Sequence, residues 1–219
     1  ILRDITRLEQ ADQGDRNAEV FMYAPRPGFR QARSGSTEFL YSLKSASADP
    51  VRIEILNASE SVIRTLQGPG KSGLSRATWD LRYEGPSQVE LRTTPPDNPH
   101  IWEEPRFKGR ETRPIVHWGI QQPQRMGPIA APGKYSVRMT ANGQTVTRPF
   151  EVLKDPMISS PDADLQASTD MQIRIRDHIN TTADMVNRIE LTRKQIEDQL
   201  KANKGKVAIE KTLADLDKK

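Results

Sequence analysis

Apolar and polar positions alternate along much of the first 155 residues. In "GSTEFLYSLKS" the alternation puts Phe39, Tyr41 and Leu43 on one face, and "PVRIEIL" does the same with Val51, Ile53 and Ile55. A period of two marks a strand with one buried side. "VIRTLQG" predicts a further strand, and "LSRATWDLRY" turns Ala77, Trp79 and Leu81 inward. The clusters "NASES" and "GPGKSG" between these runs read as turns. The pattern returns in "GKYSVRMTANGQTVTRPFEVL", where Tyr135, Val137 and Met139 face Val146, Phe150 and Val152. Asn142-Gly143 between the two runs predicts a tight hairpin, because both turn positions need positive φ. Near the start, "AEVFMYAPRPGF" holds one brief strand closed by Pro25 and Pro27.

Six or seven short strands with turns at this spacing predict a mainly β fold, an Ig-like antiparallel β-sandwich over 37–155, with 1–36 as a lead-in segment. A long Pro-rich insert, 84–128, interrupts it. Pro156 and Pro161 end the sheet, and Ser160-Pro161-Asp162 opens a helix. Beyond them Ile175, Ile179, Thr182, Val186, Ile189, Arg193, Ile196 and Leu200 follow one another at alternating spacings of four and three, which is a heptad seam. Asn203 to Gly205 breaks it, and Val207, Leu213 and Leu216 begin a second helix. Residues 156–219 are therefore expected to form a C-terminal helical hairpin, cut short at its end. Two helices bury little alone, so Ile175, Ile179, Val186, Ile189, Ile196 and Leu200 form a candidate association seam. Arg193 within it disfavours a dry parallel dimer and favours weak antiparallel self-association or docking on a sheet.

The chain of 219 residues is long enough to bury a sizeable core. Its 33 Lys and Arg against 29 Asp and Glu give a net charge of +4, but the signs interleave and no basic block appears, which argues against a nucleic-acid partner. No apolar run approaches the roughly 20 residues of a membrane span. The absence of cysteine excludes disulfides, thiolate catalysis and Cys-ligated zinc. A chain that opens on Ile1 and ends in "EKTLADLDKK" reads as part of a longer protein.

Candidate chemistry concentrates in "NPHIWEEPRFKGRETRPIVHWG", residues 98–119. His100, Glu103, Glu104 and His117 are suitable zinc ligands. Their proline-bounded loop lacks the i, i+4 geometry that places two ligands on one helix face, so neither metal nor cofactor is expected. Ile101, Trp102, Ile115 and Trp118 are expected to pin the insert to the sandwich while its charges stay solvated. Long loops without secondary structure are commonly functional or disordered, which makes His100, Trp102, Glu103, Arg106, His117 and Trp118 a candidate interaction surface. The rival readings are carbohydrate or peptide recognition by the Trp-bearing insert and, less favoured, metal-assisted hydrolysis by His100, Glu103 and His117. Trp79, alternating with Ala77 and Leu81, is expected in the core. Asp80 and Glu84 read as turn or surface residues instead of a glycosidase pair. His178 reads as solvated, and no G-x-S-x-G motif is present. No catalytic residue is assigned.

The segments "PVRIEILNASESVIRTL", "GLSRATWDLRY" and "GPIAAPGKYSVRMTANGQTVTRPFEVLKDP" together resemble the Ig-like domain of the flagellar hook-capping type. They are still more similar to the region that follows the β-propeller in bacterial sortilin-like, BNR-repeat proteins, often labelled glycosyl-hydrolase-like. There W-D-L-R and P-G-x-Y-x-V frame a Pro-rich insert and a D-A-D-L-Q helix follows, as Asp162 to Gln166 do here. The resemblance implies a non-catalytic C-terminal module of a large exported protein, periplasmic or extracellular, whose partner is the preceding propeller. Any hydrolase label belongs to that propeller, and no catalytic residue carries over.

Overall fold

The computed structural model describes residues 18–31, 34–115 and 126–217. Among the described residues ten strands run in chain order as β1 (Val20–Met22), β2 (Gly28–Arg30), β3 (Thr37–Leu43), β4 (Val51–Leu56), β5 (Val62–Gly68), β6 (Gly73–Trp79), β7 (Glu90–Leu91), β8 (Arg113–Pro114), β9 (Gly133–Ala141) and β10 (Gln144–Lys154). Helices α1 (Asp162–Ala202) and α2 (Val207–Asp217) follow, so the protein is mainly β with a long C-terminal helix. Two compact units interleave in sequence where the hydropathy pattern suggested a linear division. Ile1–Gly85 with Met126–Arg174 make one, and Pro86–Arg125 with Ile175–Lys219 make the other.

In the first unit the strands form a three-stranded sheet, β1-β3-β6, and a five-stranded sheet, β2-β10-β9-β4-β5. The residues that alternate in sequence supply one shared core: Phe39 and Tyr41, Ile53 and Ile55, Val137 and Met139, Phe150 and Val152 are all buried. Phe150 meets Phe39 edge-on at 5.2 Å and Trp79 at 5.9 Å between ring centroids. Trp79 is fully buried, as its alternation predicts, and its indole N–H donates to the Arg82 carbonyl at 2.7 Å. That bond satisfies the one polar atom such a ring carries into a core. The β9–β10 hairpin turns at Asn142 (φ 48°) and Gly143 (φ 72°), with Ala141 opposite Gln144.

Strand β2, with no counterpart in the sequence pattern, pairs parallel with β10. Three residues after Pro25 and Pro27 are too few to display a period. Its Arg30 is only 3% exposed, and the guanidinium donates to the Ala130 carbonyl (3.2 Å), the Leu165 carbonyl (3.3 Å) and Thr169 Oγ1 (3.0 Å). Thr169 donates onward to the Ile129 carbonyl at 2.9 Å, and Gln172 Oε1 accepts from the Ile129 amide at 3.3 Å. The first turns of α1 are thus held in this unit by a buried charge whose desolvation demands those acceptors. Beside it, Gly35 (φ 152°) is required by close approach, since a Cβ there would lie 2.5 Å from the Phe29 carbonyl oxygen and 2.7 Å from Leu81 Cδ1.

Replacing Trp79 with alanine removes the ring that bridges both sheets and should cost about 3–5 kcal/mol in denaturant unfolding of the full chain. A loss below about 1 kcal/mol, the size of an ordinary surface substitution, would contradict this packing.

Candidate interaction surface

In the second unit the insert leaves Pro86 as an extended segment. Its sheet partners among the described residues are limited to the short β7–β8 pairing, Glu90 with Pro114 and Leu91 with Arg113. Backbone amides in such a segment need other acceptors if they are to be buried. Helix α1 provides them through Asn180, Asn187 and Glu190, which the helical repeat brings to one face.

Asn180 Oδ1 accepts from the Ser87 amide at 2.7 Å. Asn187 accepts from the Glu90 amide at 2.7 Å and returns a bond from Nδ2 to the Gln88 carbonyl at 3.0 Å. Glu190 Oε2 accepts the amides of Arg92 (2.6 Å) and Thr93 (2.9 Å), while Oε1 accepts the Thr93 hydroxyl at 2.9 Å. Ala183, on the same face, is buried, its small side chain permitting close approach. Glu190 is 7% exposed. Burial alone pushes its carboxyl up, but the amides of Thr93 and Arg92, the Thr93 hydroxyl and the Arg193 charge together outweigh that and hold it below the usual range.

The apolar seam looks the other way. Ile175, Ile179 and Ile189 are 52%, 43% and 58% exposed, and Met185 beside them is also exposed. Val186, Ile196 and Leu200 are half-buried. Met185, Ile189, Ile196 and Leu216 of α2 line an open groove of about 550 Å³ rimmed by Arg188 and Arg193. A second groove, of about 540 Å³, has Trp102 and Leu191 among Arg92, Arg110, Lys194 and Glu197.

The other predicted surface residues lie in and around a 3-10 turn at Ile101–Glu103. His100 and Glu103 are both exposed, with Nδ1 and Oε1 3.3 Å apart. No group of three or more His, Cys, Asp or Glu among the described residues is placed to hold a metal ion. Arg106 pairs with Glu104 at 2.7 Å and lies over the Phe107 ring at 4.6 Å. Trp102 is half-buried, with the Arg113 guanidinium 5.9 Å from its ring centroid. His117 and Trp118 fall outside the described residues.

The apolar anchoring expected of the insert needs correction. Ile101 is buried, but Ile115 is 52% exposed, and Phe107, not singled out from sequence, is buried instead. What holds the segment is the polar trio Asn180, Asn187 and Glu190, also missed from sequence. The available signal was three polar residues sharing one helix face with an alanine among them, which resembles an ordinary solvated face. His178 is exposed as expected. Asp80 Oδ1 accepts the Arg82 amide at 3.2 Å, a turn role. No helix among the described residues is long and apolar enough to cross a membrane. Comparison with protein-family models and with curated proteins returns no match for the chain.

Glu190→Gln places an amide N–H against donors and should lower stability by about 1–3 kcal/mol at neutral pH. Because the folded carboxyl titrates below its ordinary value of 4.5, its contribution is complete above that value. It is lost as pH falls through the lower folded value. Urea unfolding of both proteins from pH 7 downward should show the gap close in acid. A gap independent of pH would contradict the charged clamp.

Proposed function

We propose that the chain is a non-catalytic interaction module, an Ig-like β-sandwich carrying a helical hairpin whose outward apolar stripe docks a protein partner. The observation that carries this reading is the row of exposed Ile175, Ile179, Met185 and Ile189 on a helix whose opposite face is already engaged. Contiguous exposed apolar residues rimmed by charge are the mark of a docking surface. The two sheets with a single shared core and the tight β9–β10 hairpin support the sandwich part of the reading. Leu216 in the groove with Ile189 and Ile196 supports the hairpin. The resemblance to sortilin-like propeller proteins adds an exported setting, periplasmic or extracellular, and a preceding propeller as a candidate partner.

A second reading, peptide recognition, is favoured by one observation: half-buried Trp102 lines a groove of mixed charge with Arg92, Arg110, Lys194 and Glu197. An extended peptide with alternating charges suits that lining better than a sugar does, because Arg113 occupies space near the indole ring.

The combined substitution Ile175→Lys, Ile179→Lys and Ile189→Lys in the full chain tests the leading reading. Hydrophobic-dye fluorescence should fall several-fold, while stability stays within about 0.5 kcal/mol per site, as at exposed positions generally. Unchanged dye binding, or a collapse in stability, would show that the stripe is not a free surface.

A further inference from the structure

Resting on the interaction-module reading, we infer that the stripe's occupant is a second copy of this chain, with the two α1 helices antiparallel about a twofold axis between Asn187 and Arg188. In that register Ile175 faces Leu200, Ile179 faces Ile196, Val186 faces Ile189, and Thr182 faces Arg193 of the second copy. Any heptad spacing is symmetric under reversal. The chemical content is that the seam's two polar residues fall opposite each other while every apolar residue meets an apolar one. Thr182 Oγ1 donates to the His178 carbonyl at 3.0 Å, so its oxygen remains an acceptor for a guanidinium. A parallel pairing in register would stack Arg193 on Arg193 in an apolar seam, a like-charge contact.

Helix length supports the same answer. The seam from Ile175 to Leu200 extends over about 38 Å, and α2, with 11 residues, covers only about 16 Å of it at 1.5 Å per residue. Leu216 lies with Ile189 and Ile196 in the C-terminal half of the seam, while Ile175 and Ile179 stay exposed. Antiparallel pairing sets the bare half of each seam against the α2-bearing half of the other. The exposed Ile209 and Leu216, which share one face of α2, then gain a counterpart too. Parallel pairing would crowd both α2 helices at one end and leave both bare halves with each other alone.

The chain has no cysteine, so introduced thiols report register directly. Under mild oxidation, an equimolar mixture of full-length Thr182→Cys and Arg193→Cys chains should give a disulfide-linked band at twice the chain mass. Neither variant alone should do so, because like positions would lie about 16 Å apart along the helices, beyond the roughly 7 Å Cα separation a disulfide tolerates. The pair Ile175→Cys and Leu200→Cys tests the same register independently, should the Arg193 variant fold poorly. Sedimentation of the unsubstituted chain should show mass rising toward dimer over the micromolar to millimolar range. Homodimeric crosslinks from a single variant would overturn the antiparallel arrangement. A chain that remains monomeric but binds hydrophobic dye through the stripe overturns self-pairing and leaves the interaction-module reading standing. A monomer that binds no dye overturns both.

Discussion

The amides of Ser87, Glu90, Arg92 and Thr93 decide which face of α1 looks inward. They belong to a segment with little sheet of its own, and the buried Thr93 amide must find an acceptor or forfeit about 1–3 kcal/mol, while those of Ser87 and Glu90 lie at exposed residues. Asn180 Oδ1, Asn187 Oδ1 and Glu190 Oε2 accept all four amides along one helix face. Full burial of an aliphatic side chain gains about 1.5–3 kcal/mol, and Ile175, Ile179 and Ile189 are each near half exposure, so turning them outward forfeits only part of that. The polar face wins the interior, and the apolar face is left for something else.

The first unit applies the same physics at a single residue. Its core is conventional, rings and aliphatic side chains from two sheets interleaved, with the Trp79 indole N–H bonded to a backbone carbonyl. The first turns of α1 are held by the buried Arg30 and its three acceptors. A guanidinium in that position stabilises only when every neighbour is correctly placed, which makes Arg30 a selector of geometry. In both units, α1 is located by hydrogen bonds to buried backbone and side-chain groups more than by its own apolar stripe.

Strands β3, β4, β6, β9 and β10 were legible in the sequence because a period of two converts directly into which residues are buried, and Asn142-Gly143 fixed their one tight turn. Trp79 was legible for the same reason. Strand β2 was not, since Gly28, Phe29 and Arg30 show no period and its neighbour in the sheet, β10, lies more than a hundred residues away. The heptad seam was legible as a set of residues sharing a face. Periodicity, however, says which residues lie together and not whether they look inward, and that choice rests on pairs such as Thr93 with Glu190, 97 residues apart. Of the proposed surface, the sequence displayed the stripe and the Trp102 turn but concealed the polar clamp behind them, because Asn and Glu on a helix ordinarily mean solvent.

Residue-resolved amide hydrogen exchange on the full chain measures that clamp most directly. The amides of Ser87, Glu90, Arg92 and Thr93 should exchange at least about a hundredfold more slowly than in an unstructured peptide, corresponding to an opening cost near 3 kcal/mol. In Glu190→Ala the protection of Arg92 and Thr93 should fall while that of the β9–β10 hairpin is kept. Exchange of those four amides at peptide rates in the unsubstituted chain would contradict the clamp, because α1 would then have no reason to turn its polar face inward.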